Sequence, residues 1–499
     1  MNPSLILTVI GAYFGLLLFI SWRTGRQSSS NSFFTANRNS PWFVVAFGMI
    51  GASLSGVTFI SIPGAVGGEG INQGFSYMQT VFGYLLGYVA IAQVLLPLYY
   101  RLQLTSIYTY LQQRFGEFSY KTGASFFLLS RIVGASFRLY LVAIVLDQFV
   151  LGPMGVSFWQ TVLLTVGLIW LYTFRGGMKT VVWTDTLQTA SMLIAVLLTV
   201  FAIAGDMNLS IGGIVKAISE SQYSQLFFFE GGWGDANNFF KQFLSGAFIT
   251  IVMTGLDQDM MQKNLTCRNL GEAKKNMYSF SAVLVVVNLL FLALGALLYL
   301  YAEQKGIELP MRLVNGEMVP ARDQLFPTLA LHHLSPMIGL VFIIGLIAAA
   351  YSSADSALTA LTTSFCVDIL GFDPTDESAT RKKQRQAIHI AMALVLFVVI
   401  LGFRQLNNDS VINELFRAAG YTYGPLLGLY AFGMLTQRSV LDKAVPIVAI
   451  ASPIACYLLN ANADVWLGGY KFGFELLILN GLITFLGLWA ISTRRNMMR

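Results

Sequence analysis

Thirteen runs of roughly twenty mostly apolar residues thread this 499-residue chain, and no other feature limits its fold so tightly. They lie at 3–22, 41–63, 74–100, 121–152, 157–175, 180–204, 239–262, 276–302, 335–371, 386–404, 409–435, 440–459 and 472–493. About 20 apolar residues in a helix cross the hydrocarbon layer of a bilayer. No water satisfies backbone N–H and C=O groups there, so only helices and closed barrels can span it. Barrel strands alternate with period two, and these runs are too long and too continuously apolar for that. The chain therefore reads as an all-α integral membrane protein of about thirteen transmembrane helices. Charged residues are 11% of the total, less than half the share of about 25% in soluble proteins.

The first run lacks a basic segment ahead of it and is long enough to span, so it reads as a helix and not a cleaved leader. Cys267, Cys366 and Cys456 are scattered, which supports neither a disulfide framework nor a zinc site. The net charge of +6 follows from where the positives cluster and does not call for nucleic acid. Loops after odd-numbered spans hold 21 Lys and Arg, among them Arg26, Arg175, Lys263, Arg385, Arg494, Arg495 and Arg499, while the opposite loops hold 6, among them Lys471. Positive residues mark the cytoplasmic side. The N-terminus is thus expected outside and the C-terminus in the cytoplasm. The outer loops 205–238 and 303–334 are too small to be separate domains, so 1–499 reads as one membrane domain, with compact loops that fit an inner (plasma) membrane.

Several spans break the apolar pattern, and such breaks in lipid mark either function or protein-buried contacts. Residues 47–64 hold Gly51, Ala52, Ser53, Ser55, Gly56, Thr58 and Ser61 ahead of Pro63 and Gly64. This composition suits an unwound helix whose carbonyls ligate a cation, or a tight small-residue interface. In the ninth span Ser352, Asp355, Ser356 and Thr359 share one helix face. Their hard oxygens suit a small hard cation, or form a packing face whose Asp355 pairs with an arginine. Asp185 enters the sixth span beside Thr184 and Gln188, as a ligand or a cap. Asp257, Gln258, Asp259 and Gln262 end the seventh span and read as a solvated helix end. Arg131 and Arg138 lie two turns apart in the fourth span and need partners, either an anionic substrate or an internal acid such as Asp147. His332 and His333 fall in an outer loop and His389 stands alone, so no hydrolase-like constellation forms and no enzyme is expected.

These breaks resemble the sodium:solute symporter family along nearly the whole chain. The resemblance rests on Gly176-Gly177 leading to Val182-Trp183-Thr184-Asp185-x-x-Gln188, on Asp257-Gln258 with Gln262-Lys263, on Ala348-Ala349-Ala350-x-Ser352-Ser353, and on Gly424-Pro425-Leu426-Leu427-Gly428. It implies a leucine-transporter-like core of two inverted five-helix repeats at 41–204 and 239–435, with peripheral helices at 3–22 and 440–493. It implies a sodium ion held by carbonyls of Gly51, Leu54 and Ala349 and hydroxyls of Ser352 and Ser353. A second cation in some members maps to Asp185, Asp355 and Ser356 with Ser352. Asp355 departs from the serine of those members, which leaves a stronger cation site, a proton carrier or an arginine partner open.

Leu54-Ser55-x-x-Thr58-Phe59 resembles the substrate-facing segment of the sialic-acid branch, and Phe75-x-x-x-Gln79 its aromatic lid and amide. That branch holds the substrate carboxylate with an arginine where an ungapped match puts Gly134, flanked here by Arg131 and Arg138. The implied function is sodium-coupled symport of a small organic solute by a monomer: a sugar, an acidic sugar or a related compound. Proton coupling through Asp185 or Asp355, a membrane-embedded enzyme and a sensor are the competing readings.

Overall fold

A computed structural model describes residues 3–25, 30–68, 71–174, 177–314, 317–376, 378–406, 411–470 and 472–493. Arg26, Arg175, Gly176, Lys471, Arg494, Arg495 and Arg499 lie outside these residues. The chain is mainly helical. Its membrane-scale elements are α1 (Pro3–Gly25), α2 (Trp42–Ser53), α3 (Gly56–Ala65), α4 (Tyr77–Arg101), α5 (Glu117–Met154), α6 (Phe158–Thr173), α7 (Met178–Asp206) and α8 (Phe239–Gly255). They continue with α9 (Gln258–Asn264), α10 (Leu270–Lys305), α11 (Pro336–Ile369), α12 (Ala379–Leu406), α13 (Val411–Leu435), α14 (Val445–Ala461) and α15 (Leu476–Ala490). Among the described residues 8 helices are long and apolar enough to cross a membrane, or 10 when two bent pairs each count as one span. An antiparallel hairpin, β1 (Met311–Val314) with β2 (Glu317–Pro320), lies in the loop before α11.

Both bent pairs follow from local sequence. Between α2 and α3 the axis turns by 55°. Leu54 (φ −90°, ψ 85°) and Ser55 (φ −82°, ψ −176°) leave the helical region there, amid small residues with little side-chain packing to lose. Between α8 and α9 the turn is 69°. Asp257 is extended at φ −108°, ψ 121°, and its carboxylate accepts from the Asp259 and Met260 N–H groups at 2.9 and 3.3 Å, which starts a new helix.

Lipid offers no hydrophobic drive for helices to associate, so close backbone approach does the work. A Cβ on Gly83 would lie 2.0 Å from the Phe243 carbonyl oxygen, and one on Gly246 would lie 2.1 Å from that of Thr80, so only glycine permits the α4–α8 crossing. α11 is the central helix: 78% of its most apolar stretch is buried in protein, against 28% for α1 and for α12. It therefore presents its polar face to other helices and not to lipid. Cys267, Cys366 and Cys456 are free and buried.

Candidate functional site

Two polar regions meet at the breaks. The first lies where α11 passes α2 and α7. Gly51 is pressed against α7 and α11: a Cβ there would fall 2.2 Å from Thr189 Oγ1 and 2.9 Å from Ser352 Oγ. Ser352 donates to Asp185 Oδ1 at 2.8 Å, and Ser353 donates to the carbonyls of Ala349 and Ala350 at 3.2 Å each. Thr189 Oγ1 and Gln188 Oε1 are buried there without a hydrogen-bond partner. Gly51, Ala349, Ser352 and Ser353 are thus gathered, and Leu54 ends α2 at the same break. This is a set of neutral oxygens next to one carboxylate, chemistry that fits a small hard cation. No group of three or more His, Cys, Asp or Glu able to hold a metal ion occurs among the described residues.

Asp355 faces the same region. Its Oδ2 accepts from the Tyr172 hydroxyl at 3.0 Å and the Thr184 hydroxyl at 3.3 Å, and its Oδ1 accepts from the Ser356 N–H at 2.6 Å. Among the described residues no arginine pairs with it. Asp185 is neither a cap nor free: Lys263 Nζ lies 2.7 Å from its Oδ2. Lys263, read as a cytoplasmic-loop positive, is in fact buried, as is Arg385 over the Phe33 ring. Thr359 shares the face, but its hydroxyl is spent on the Asp355 carbonyl at 2.9 Å.

The second region is a cavity of about 80 Å³ at the α2–α3 break. Its walls include Ser55 and Thr58 from the break, Tyr77, Tyr84 and Tyr88 from one face of α4, Arg131 and Arg138 from α5, and Asn288 from α10. Arg131 forms an ion pair with Asp259 and lies 3.8 Å from Asp257 Oδ2, which also accepts from the Tyr423 hydroxyl. Asp147 is instead 4.0 Å from Arg404, so it does not serve the cavity arginines. No ion pair or hydrogen bond holds Arg138 among the described residues, and its Nε is buried and unpartnered. A buried guanidinium without a direct ion-pair partner is costly, which leaves Arg138 able to take up an anion.

Two sets of sequence expectations need correction. Asp257, Gln258, Asp259 and Gln262 do not reach cytoplasmic water. The 69° bend folds α9 back into the bundle and buries all four. Phe59, Phe75 and Gln79 do not line the cavity. Phe59 points the other way, into an aromatic cluster with Phe291, Phe326 and Phe342. The Phe75 N–H donates to Gln225 O at 2.8 Å, and the Gln79 amide is spent on Asn237 O (2.8 Å) and the Phe228 N–H (3.1 Å), which ties α4 to the outer loop. Gly424 and Gly428 of the Gly-Pro-Leu-Leu-Gly motif press against Asn480 and Thr484 of α15, a packing role. His389 is buried between Thr173 (2.9 Å) and Thr362 (2.7 Å), an ordinary structural histidine.

The reading from sequence passed over Lys263 as a site residue, and also Thr189 and the three cavity tyrosines. Their signal was present: Lys263 follows Asp259 by one helical turn, and Tyr77, Tyr84 and Tyr88 keep helix-face spacing.

A central helix with a polar face, two broken helices and a buried cavity at one break define a multi-pass membrane transporter. A sequence profile of the sodium:solute symporter family matches residues 33–446. The chain belongs to that family. It is 26% identical over 465 residues to the sodium/sialic acid symporter NanT of Aliivibrio fischeri, covering 90% of this chain and 86% of that protein. It is 24% identical to the sodium/sialic acid symporter SiaT of Proteus mirabilis, covering 92% of this chain and 90% of that one. Sodium-coupled monocarboxylate transporter 1 of Xenopus laevis is 27% identical over 86% of this chain, which spans 66% of that longer protein. The structure of a substrate-bound, outward-open, sodium-coupled sialic acid symporter superposes with a TM-score of 0.79 at 20% identity, covering 97% of this chain and 96% of the other. A nucleobase-cation-symport-1 transporter in a closed conformation gives a TM-score of 0.58 at 14% identity, covering 92% and 94%. These likenesses show a leucine-transporter-like fold. The protein is a sodium-coupled solute symporter.

Proposed function

We propose that this symporter imports a small organic anion, an acidic sugar such as a sialic acid being the leading class, with Arg138 holding the carboxylate. The observation that carries this is the Arg138 guanidinium, unpaired in the cavity wall, beside Ser55 and Thr58 and opposite tyrosine hydroxyls able to meet sugar hydroxyls. Relatives named as sialic acid and monocarboxylate transporters support an acidic solute. A sugar acid needs more room than about 80 Å³, and the hinge at Leu54–Ser55 is where the fold can supply it.

Sodium sits between the α2 break and α11, on the carbonyls of Gly51, Leu54 and Ala349 and the hydroxyls of Ser352 and Ser353. Asp185, Asp355 and Ser356 adjoin it. Lys263 lies 2.7 Å from Asp185, so an ammonium holds the position next to the sodium ligands in this state. A sodium ion that ties α2 to α11 fixes the break and shapes the cavity. Solute then binds, the bundle rocks, and both are released inside.

Each of the thirteen apolar runs corresponds to one helix or one bent pair, which supports thirteen crossings of a single membrane domain. The two bent pairs, α2–α3 and α8–α9, open stretches five spans apart, an odd number that gives them opposite sense if each span crosses, which supports inverted repeats at 41–204 and 239–435. The charge asymmetry supports an outside N-terminus and a cytoplasmic C-terminus in the inner membrane, and we assign a monomer surrounded by lipid.

The test is a thermal-stability scan of the purified protein with N-acetylneuraminate, glucuronate, lactate, glucose and proline, each in sodium and in potassium. A ligand that binds only the folded state raises stability with its concentration relative to Kd. Stabilisation by an acid only in sodium, lost in Arg138→Gln, is the expected result. Stabilisation by a neutral solute that survives Arg138→Gln overturns the anion assignment.

A further inference from the structure

α9 is one short helix that carries both an anion and a cation into the two regions. Asp259 and Lys263 are four residues apart, so they lie on one face. Asp259 meets Arg131 in the wall of the solute cavity. Lys263 meets Asp185 at 2.7 Å beside the cation region. A 69° bend sets this helix off from α8 as a separate element. The two ends are also joined across α11: Ser356 donates to Asp259 Oδ2 at 3.3 Å and to Ser352 O at 3.1 Å, and Ser352 donates to Asp185 at 2.8 Å. Asp259 Oδ1 is buried without a hydrogen-bond partner.

We infer that α9 carries stand-ins for both cargoes. In the empty transporter the Asp259 carboxylate occupies Arg131 in place of the solute carboxylate, and the Lys263 ammonium occupies Asp185 in place of sodium. Sodium entering next to Asp185 competes with Lys263 and loosens one end of α9. The same movement draws Asp259 from Arg131 and frees a second guanidinium beside Arg138 for the solute. One rigid turn thereby makes each cargo's binding favour the other's, and the effect is reciprocal by linkage. Asp259 and Lys263 act here as positioning residues: neither has to touch a cargo. The solute half rests on the anionic-solute reading above, whereas the sodium half does not.

The experiment is equilibrium binding to the full-length protein of radiolabelled sodium, without solute and with saturating N-acetylneuraminate, and of radiolabelled N-acetylneuraminate, in potassium and in sodium, for wild type, Lys263→Gln, Lys263→Arg and Asp259→Asn. Lys263→Gln is expected to bind sodium at least five-fold more tightly without solute, and Lys263→Arg to stay near wild type. A merely structural lysine predicts weaker binding on removal, not tighter. Asp259→Asn is expected to bind N-acetylneuraminate in potassium at least five-fold more tightly than wild type, and to lose most of the sodium enhancement of that affinity. Coupling factors of this kind run from ~5- to ~150-fold. Unchanged or weaker sodium affinity in Lys263→Gln, with Lys263→Arg folded and active, overturns the inference. If no carboxylate binds to wild type, the anionic-solute reading fails while the sodium arm still decides the role of Lys263.

Discussion

At the scale of single residues, Ser352 and Ser353 have different surroundings: one donates to Asp185 and the other to the turn before it. Both stand at the sodium position. Replacing both by alanine removes two of five proposed oxygens. At about 1.5 kcal/mol for a contact to a charge, sodium affinity should fall roughly a hundred-fold. Sodium-stimulated uptake should then disappear at ordinary sodium while the unfolding midpoint in potassium is kept. Normal sodium dependence in that variant contradicts the site. Asp355→Ser removes an acceptor of three donors and one negative charge next to Asp185. It should shift the sodium titration of uptake more than the solute titration, and equal shifts in both would count against a role in the cation region. The hydroxyls and carboxylates of α11 were legible in the sequence because helix periodicity places Ser352, Asp355 and Ser356 together. The partners were not legible. No spacing rule says that Lys263 reaches Asp185, or that Tyr172 reaches Asp355, because those meetings come from tertiary packing of distant segments.

At the scale of elements, the two broken helices decide where the chemistry lies. The first break could be read from its run of small residues ahead of Pro63. The second was hidden: Asp257, Gln258, Asp259 and Gln262 look like a wet helix end, since four polar residues within six positions are usually solvated. The bend that buries them is set by the Asp257 cap and by what α9 meets in the bundle. The same limit explains Phe59, Phe75 and Gln79. Their order along the chain fits a substrate segment, but the direction of Phe59 after a 55° bend and the ties of Phe75 and Gln79 to the outer loop are tertiary properties. The α4–α8 crossing gives a direct prediction. Gly83→Leu forces a side chain into the Phe243 backbone and should cost at least the ~1–3 kcal/mol of overpacking, seen as a lower thermal midpoint. Gly11→Leu on α1, where nothing lies within 4 Å, should change stability by no more than about 0.5 kcal/mol.

At the scale of the whole molecule, the proposed span count and orientation rest on hydropathy and loop charge, which the bilayer constrains regardless of packing. The three native cysteines are buried, so a single introduced cysteine reports its own side. Ser219→Cys should react with a membrane-impermeant maleimide in intact cells, and Lys382→Cys only after permeabilisation. The opposite pattern reverses the orientation. The central claim is coupled transport of an acidic solute, and its most direct test is uptake of radiolabelled N-acetylneuraminate into proteoliposomes under an inward sodium gradient. Accumulation above the external concentration in sodium, absent in potassium and abolished by Arg138→Gln, is what the structure predicts. Equal uptake in sodium and potassium, or full accumulation by the Arg138→Gln protein, would contradict it.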